Sequence, residues 1–148
     1  MKILAVVLCA ILPLFADVAH EFAGKHFLAS YLHCDPEAIG DVERLLAAMD
    51  KAVESCGATV LDKSSYVFEP NGVTVVYLLS ESHASLHTYP EFGACFVDLF
   101  TCGNNCSAQA FDIALRAYLN PKEINARYFS RNEQTDDIPY LLTNFDNY

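Results

Sequence analysis

The tightest constraint on the fold is a pair of β-forming runs joined by a reversal. Ala58 to Phe68 and Val73 to Ser80 flank Glu69-Pro70-Asn71-Gly72, where Pro comes early and Asn-Gly late. That order is the composition of a turn, so the two runs read as a hairpin. Gly24 to His33 predicts an earlier strand, with Phe27, Ala29 and Tyr31 alternating against His26, Leu28 and Ser30. Pro36 then opens a helix in which Ile39, Val42, Leu45, Leu46, Met49 and Val53 recur at three- and four-residue spacing, stopped by Gly57. Ser82 to Thr88 continues in extended form until Pro90, and Gly93 to Thr101 is a further strand. Ser107 is placed to cap a helix over Ala108 to Leu119, with an apolar stripe through Phe111, Ile113, Ala114, Leu115 and Tyr118. Asn120-Pro121 ends it, and Glu123 to Phe129 predicts a last strand.

Hairpins with helices interspersed predict an α+β two-layer sandwich, a mainly antiparallel sheet with helices on one face. A sheet with one uncovered face often buries that face against a second copy. The 148 residues, 53% hydrophobic, suffice for one well-buried domain, with no linker or repeat to divide them. The expected organisation is a leader over 1–23, a domain over 24–131, and a tail over 132–148.

A net charge of −10 argues against a nucleic-acid surface, which needs clustered Lys and Arg. Of six cysteines, Cys9 lies in the leader, leaving an odd five, which argues against a disulfide framework. Met1-Lys2 followed by the apolar stretch Ile3 to Ala16 has signal-peptide length and is short for a bilayer span. An exported leader and an over-extended start both fit it.

The segment Ser80 to Glu91 gathers three serines and threonines around Ser82, two histidines and two carboxylates directly after the apolar run. His83 with His87 and Cys102 with Cys106 have a zinc-like spacing. On a strand, however, four residues span about 13 Å, too far for two ligands that bind one ion at about 2 Å; no metal is expected. Ser82, His87 and Glu91 could form a hydrolase triad, but no Gly-x-Ser-x-Gly elbow accompanies them. On composition alone the cluster reads as a polar strand end.

The wider pattern carries more. Gly24-Lys25-His26, Cys34-Asp35-Pro36, Gly57-Ala58-Thr59-Val60, Phe68-Glu69-Pro70-Asn71-Gly72-Val73, Glu81-Ser82-His83, His87-Thr88-Tyr89-Pro90-Glu91 and Phe96 to Gly103 follow one another collinearly. In that order and spacing they resemble the S-adenosylmethionine decarboxylases of the bacterial and archaeal type.

The resemblance implies that Ser82 attacks the Glu81 carbonyl and that the chain breaks between Glu81 and Ser82. Ser82 thereby becomes a pyruvoyl cofactor, whose ketone forms a Schiff base with the substrate amine and accepts electrons as carbon dioxide leaves. A strained, tightly held peptide bond is the physical requirement. By the same resemblance His87 moves protons during maturation and Cys102 donates one to the substrate carbon. Phe68 stacks on adenine, Glu91 grips the ribose hydroxyls, and Thr74 stands where the family has serine. Taken alone, Phe68 and Cys102 would read as core residues.

Gly72-Val73-Thr74-Val75 replaces the family's Gly-Val-Ser-Gly, which puts the substrate in question more than the cofactor chemistry. The implied activity supplies the aminopropyl donor for spermidine synthesis. Alternatives are a pyruvoyl-dependent arginine or ornithine decarboxylase, and an unprocessed binding protein. A cytosolic substrate and a free Cys102 thiol imply a cytoplasmic protein, with export through the leader as the alternative.

Overall fold

The computed structural model describes residues 23–102 and 105–132; the predicted leader through residue 22 and the tail from residue 133 lie outside the described residues. Six strands form one sheet: β1 (Ala23–Leu32), β2 (Val60–Phe68), β3 (Gly72–Leu79), β4 (Ser82–Tyr89), β5 (Ala94–Cys102) and β6 (Glu123–Asn132). Their spatial order is β2-β3-β4-β5-β1-β6, and all neighbours pair antiparallel. Helices α1 (Pro36–Gly40), α2 (Val42–Ser55) and α3 (Ala108–Leu119) complete the described residues, with a 3₁₀ turn over Pro90–Phe92. The sandwich with helices on one face is therefore as the sequence predicts.

The period-2 pattern of the strands decides what is covered. Phe27, Ala29 and Tyr31 of β1, Val73, Val75 and Tyr77 of β3, Ala84 and Leu86 of β4, and Val97 and Leu99 of β5 are buried beneath the helices. The helices answer with Leu45, Met49, Ala52 and Val53 from α2 and Phe111, Leu115 and Leu119 from α3. Two tyrosines bridge the layers through polar tips. Tyr31 Oη donates to Asp112 at 2.7 Å, and Tyr77 Oη donates to Asp50 at 2.8 Å. The opposite face remains open, and on it Tyr66, Phe68, Val76, Leu78, Tyr89 and Phe96 are exposed.

Three details differ from the sequence expectation. The single helix expected after Pro36 is two, because Asp41 (φ −91°, ψ 92°) leaves the helical region and caps α2 by accepting from Arg44 N–H at 3.0 Å. Ser82 to Tyr89 does not prolong β3; the chain reverses through Ser80-Glu81 alone, and β4 runs back with Leu79 opposite Ser82. β6 extends to Asn132, past the Phe129 at which the last strand is expected to end and into the first residue of the expected tail. Gly57 ends α2 as expected. Its φ is +88°, and a Cβ there would meet the Asn105 carbonyl at 2.9 Å, two reasons for glycine.

Candidate functional site

The candidate residues fall at the two ends of β4 and its neighbours. At the near end, β4 begins immediately after the Ser80-Glu81 reversal. Two-residue hairpin turns usually place their positive φ on the two central residues. Here neither Ser80 nor Glu81 takes it; Ser82 does, at φ 150°, a conformation that costs a non-glycine residue about 1–3 kcal/mol. The strain thus sits at the Glu81–Ser82 junction.

Opposite it, the last residue of β5 holds the Glu81 carbonyl oxygen twice. Cys102 donates its backbone N–H at 3.0 Å and its Sγ at 3.1 Å. Two donors on one carbonyl oxygen polarise the carbon and await the negative charge that an attacking nucleophile would generate. The Glu81 side chain is tied back as well, accepting from Thr59 N–H at 2.9 Å. Cys102 is exposed, not a core thiol. Cys34, Cys56, Cys95 and Cys106 are buried, and burial pushes the Cys34 and Cys106 thiols up to about 11, which keeps them protonated. All five described cysteines are free.

Ser82 Oγ hydrogen-bonds the ring of His83, 3.3 Å from Nδ1. The sequence gives His83 no role of its own: it is half of a zinc-like pair and part of the Glu81-Ser82-His83 block. Its adjacency to Ser82 was the available signal, but neighbours on a regular strand point to opposite faces and do not meet. His83 in turn packs against His26 and Phe100, with ring centroids 6.4 and 5.6 Å away. Phe100 also covers Gly24, where a Cβ would lie 2.2 Å from the ring.

The far end collects Phe68, Thr74, His87 and Glu91. Thr74 lies directly across from His87, and its hydroxyl hydrogen-bonds Nδ1 of that ring. The His87 ring sits edge-on between Tyr89 and Phe68, at 4.6 and 5.9 Å. Phe68, His87, Tyr89 and Glu91 line a cleft of about 740 Å3 together with the Glu69-to-Gly72 turn. Phe68 is 44% exposed, so it is not a core residue.

The structure brings Glu81, Ser82 and Cys102 together, and separately Phe68, Thr74, His87 and Glu91. It does not bring the two groups together. His87 lies five residues along β4 from Ser82, about 17 Å of strand. Among the described residues no three His, Cys, Asp or Glu side chains converge as for a metal ion. No described helix is long and apolar enough to cross a membrane.

The chain is similar to known proteins over its whole described domain. The pattern described as S-adenosylmethionine decarboxylase matches residues 25–132. The S-adenosylmethionine decarboxylase proenzyme of Methanococcus aeolicus is 36% identical over 102 residues, 69% of this chain and 87% of that one. The proenzyme of Parasynechococcus marenigrum is 39% identical over 108 residues, 73% of this chain and 84% of the other. The crystal structure of the adenosylmethionine decarboxylase from Aquifex aeolicus superposes with a TM-score of 0.71 at 33% identity, covering 80% of this chain and 98% of that one. The collinear blocks and the antiparallel sandwich that carries them thus have one source: the chain belongs to the S-adenosylmethionine decarboxylase family.

Proposed function

We propose that this chain decarboxylates S-adenosylmethionine with a pyruvoyl group made from its own Ser82, and that it works as a homodimer. The observation that carries the reading is the Glu81–Ser82 junction. A backbone strained at Ser82, with the preceding carbonyl oxygen held by Cys102 N–H and Sγ, suits attack of the Ser82 hydroxyl on Glu81. The resulting ester breaks by elimination to leave one chain ending at Glu81 and another whose first residue derives from Ser82. The residues present therefore fit the cofactor's origin. Once formed, that group supplies an electron sink for the bond from which carbon dioxide departs.

The chain's own side chains do the rest. The Cys102 thiol, exposed at the same junction, is the proton donor to the substrate carbon. The Phe68 ring is an open platform for the adenine, and Glu91 offers two acceptor oxygens to the ribose hydroxyls. His87, oriented by Thr74, moves protons during maturation.

These far-end residues cannot serve the near end of their own chain across about 17 Å of strand. A two-fold axis lying between two open sheet faces, across the strands, reverses strand direction and sets one copy's far end over the other's near end. Exposed apolar residues on that face support the pairing: Tyr66 and Leu78 are 65% and 55% exposed. A free thiol at Cys102 further fits the reducing cytoplasm.

Intact mass tests the cofactor. Cleavage before Ser82 with a blocked N-terminus on the C-terminal chain is expected, and a permanently unbroken chain refutes the reading. Reductive trapping with S-adenosylmethionine, or with arginine, identifies the substrate. The nucleoside-binding pair Phe68 and Glu91 favours a mass adduct from S-adenosylmethionine, and an adduct from arginine alone would reassign the substrate.

A further inference from the structure

Serine hydroxyls attack amides slowly unless a base accepts their proton, and the base must lie within hydrogen-bond reach. His87 lies about 17 Å along the strand from the Ser82 of its own chain. Among the described residues, the His83 ring is the only side chain that hydrogen-bonds Ser82 Oγ, at 3.3 Å from Nδ1.

The contact has a structural cause. In the sheet register Ser82 pairs with Leu79 and Thr101 on the covered face, whereas His83 pairs with Leu78 and Phe100 on the open one. Regular strand geometry would keep the two side chains apart. The φ of 150° at Ser82 breaks that alternation and brings hydroxyl and imidazole together. The ring packs against His26 of β1 and Phe100 of β5, which also pack on each other. Around it, Arg131 of β6 lies over Phe100, 4.7 Å from the ring centroid, and Asp98 lies 3.8 Å from His26.

We propose that His83 is the catalytic base for the first step of maturation, within its own chain and distinct from His87. The inference rests on the reading that the Glu81–Ser82 bond is cut. With its proton on Nε2, the imidazole accepts the Oγ proton at Nδ1 while Oγ bonds to the Glu81 carbonyl carbon. The carbonyl electrons move onto the oxygen held by Cys102 N–H and Sγ. When they return, the bond from that carbon to the Ser82 nitrogen breaks, and the nitrogen takes the proton back from His83. Amide has become ester, nothing is gained or lost, and the imidazole is again neutral. A separation of 3.3 Å is long for such a transfer, as resting catalytic contacts often are before they tighten.

His83→Ala removes the base, and His83→Asn keeps a hydrogen-bonding atom near the Nδ1 position without a group that titrates there. Time-resolved intact mass after purification compares both with the unaltered chain. Both variants are expected to cleave roughly a hundredfold more slowly, to remain full-length in neutral hydroxylamine because no ester has formed, and, for His83→Ala, to be accelerated by added imidazole. Unaltered-rate cleavage of the folded His83→Asn chain overturns the proposal. So does accumulation of a full-length species that hydroxylamine splits, since His83 would then act after the attack. An unaltered chain that never cleaves would instead overturn the reading on which the proposal rests.

Discussion

Cys102 shows how much one residue can carry when its backbone and side chain point at the same atom. Its N–H is fixed by the strand, but its Sγ contributes an independent donor to the Glu81 oxygen. Cys102→Ala should therefore slow cleavage before Ser82 on the order of a hundredfold, the usual cost of one lost donor to a developing oxyanion. Intact mass against time measures it. Cleavage at the unaltered rate would mean that the backbone donor suffices. Decarboxylation should fall further, because the same thiol is the proposed proton donor.

His26 gives a second prediction at this scale. Burial holds its pKa below the usual value, with Asp98 opposing and Arg131 and His83 adding to the depression. Its Nε2 is buried with no hydrogen-bond partner among the described residues. The folded chain therefore keeps His26 neutral where the unfolded chain takes a proton. Stability is full above the unfolded value near 6.5, declines as pH falls from there to the lower folded value, and stays reduced below it. Denaturant unfolding of the uncleaved Ser82→Ala chain at pH 7.5 and 5.5 should show that decline. In His26→Gln the same comparison should be flatter; an unchanged decline would assign the effect to another group.

At the scale of elements, the strands and their faces were legible because each apolar alternation matched what the core buries, Phe27, Ala29 and Tyr31 being the clearest case. Two elements were not. The Asp41 break was hidden because Ile39 and Val42 keep a helical spacing across it, and only the Asp41 side chain, a good N-cap, marks the restart. Asp41→Ala should destabilise the uncleaved Ser82→Ala chain by about 1 kcal/mol, the loss of one cap, read as a lowered urea midpoint. No change would mean that tertiary packing alone starts α2. The Ser80-Glu81 reversal was hidden because it lacks the Gly or Asn-Gly that advertises a two-residue turn. The missing glycine is the reason for the strain: the turn places its positive φ on Ser82 instead. Legible turn chemistry would have given a relaxed junction there.

At the scale of the whole molecule, the sequence lists Phe68, Ser82, His87, Glu91 and Cys102 as one set, but it contains no distances. The structure divides them between the two ends of the sheet, and symmetry offers the way to reunite them. A shared site makes a prediction that a self-contained one does not. A chain disabled at the far end by Phe68→Ala and Glu91→Gln keeps an intact near end, whereas Ser82→Ala does the reverse. Neither homodimer should decarboxylate at an appreciable rate. When the two chains are unfolded and refolded together, random pairing makes half the dimers mixed, each with one intact site of two, so about a quarter of the unaltered activity should return. The far-end variant must still cleave before Ser82 for this to work, and intact mass verifies that in the same sample. If each site lay within one chain, every site in the mixture would carry a defect and mixing would restore nothing.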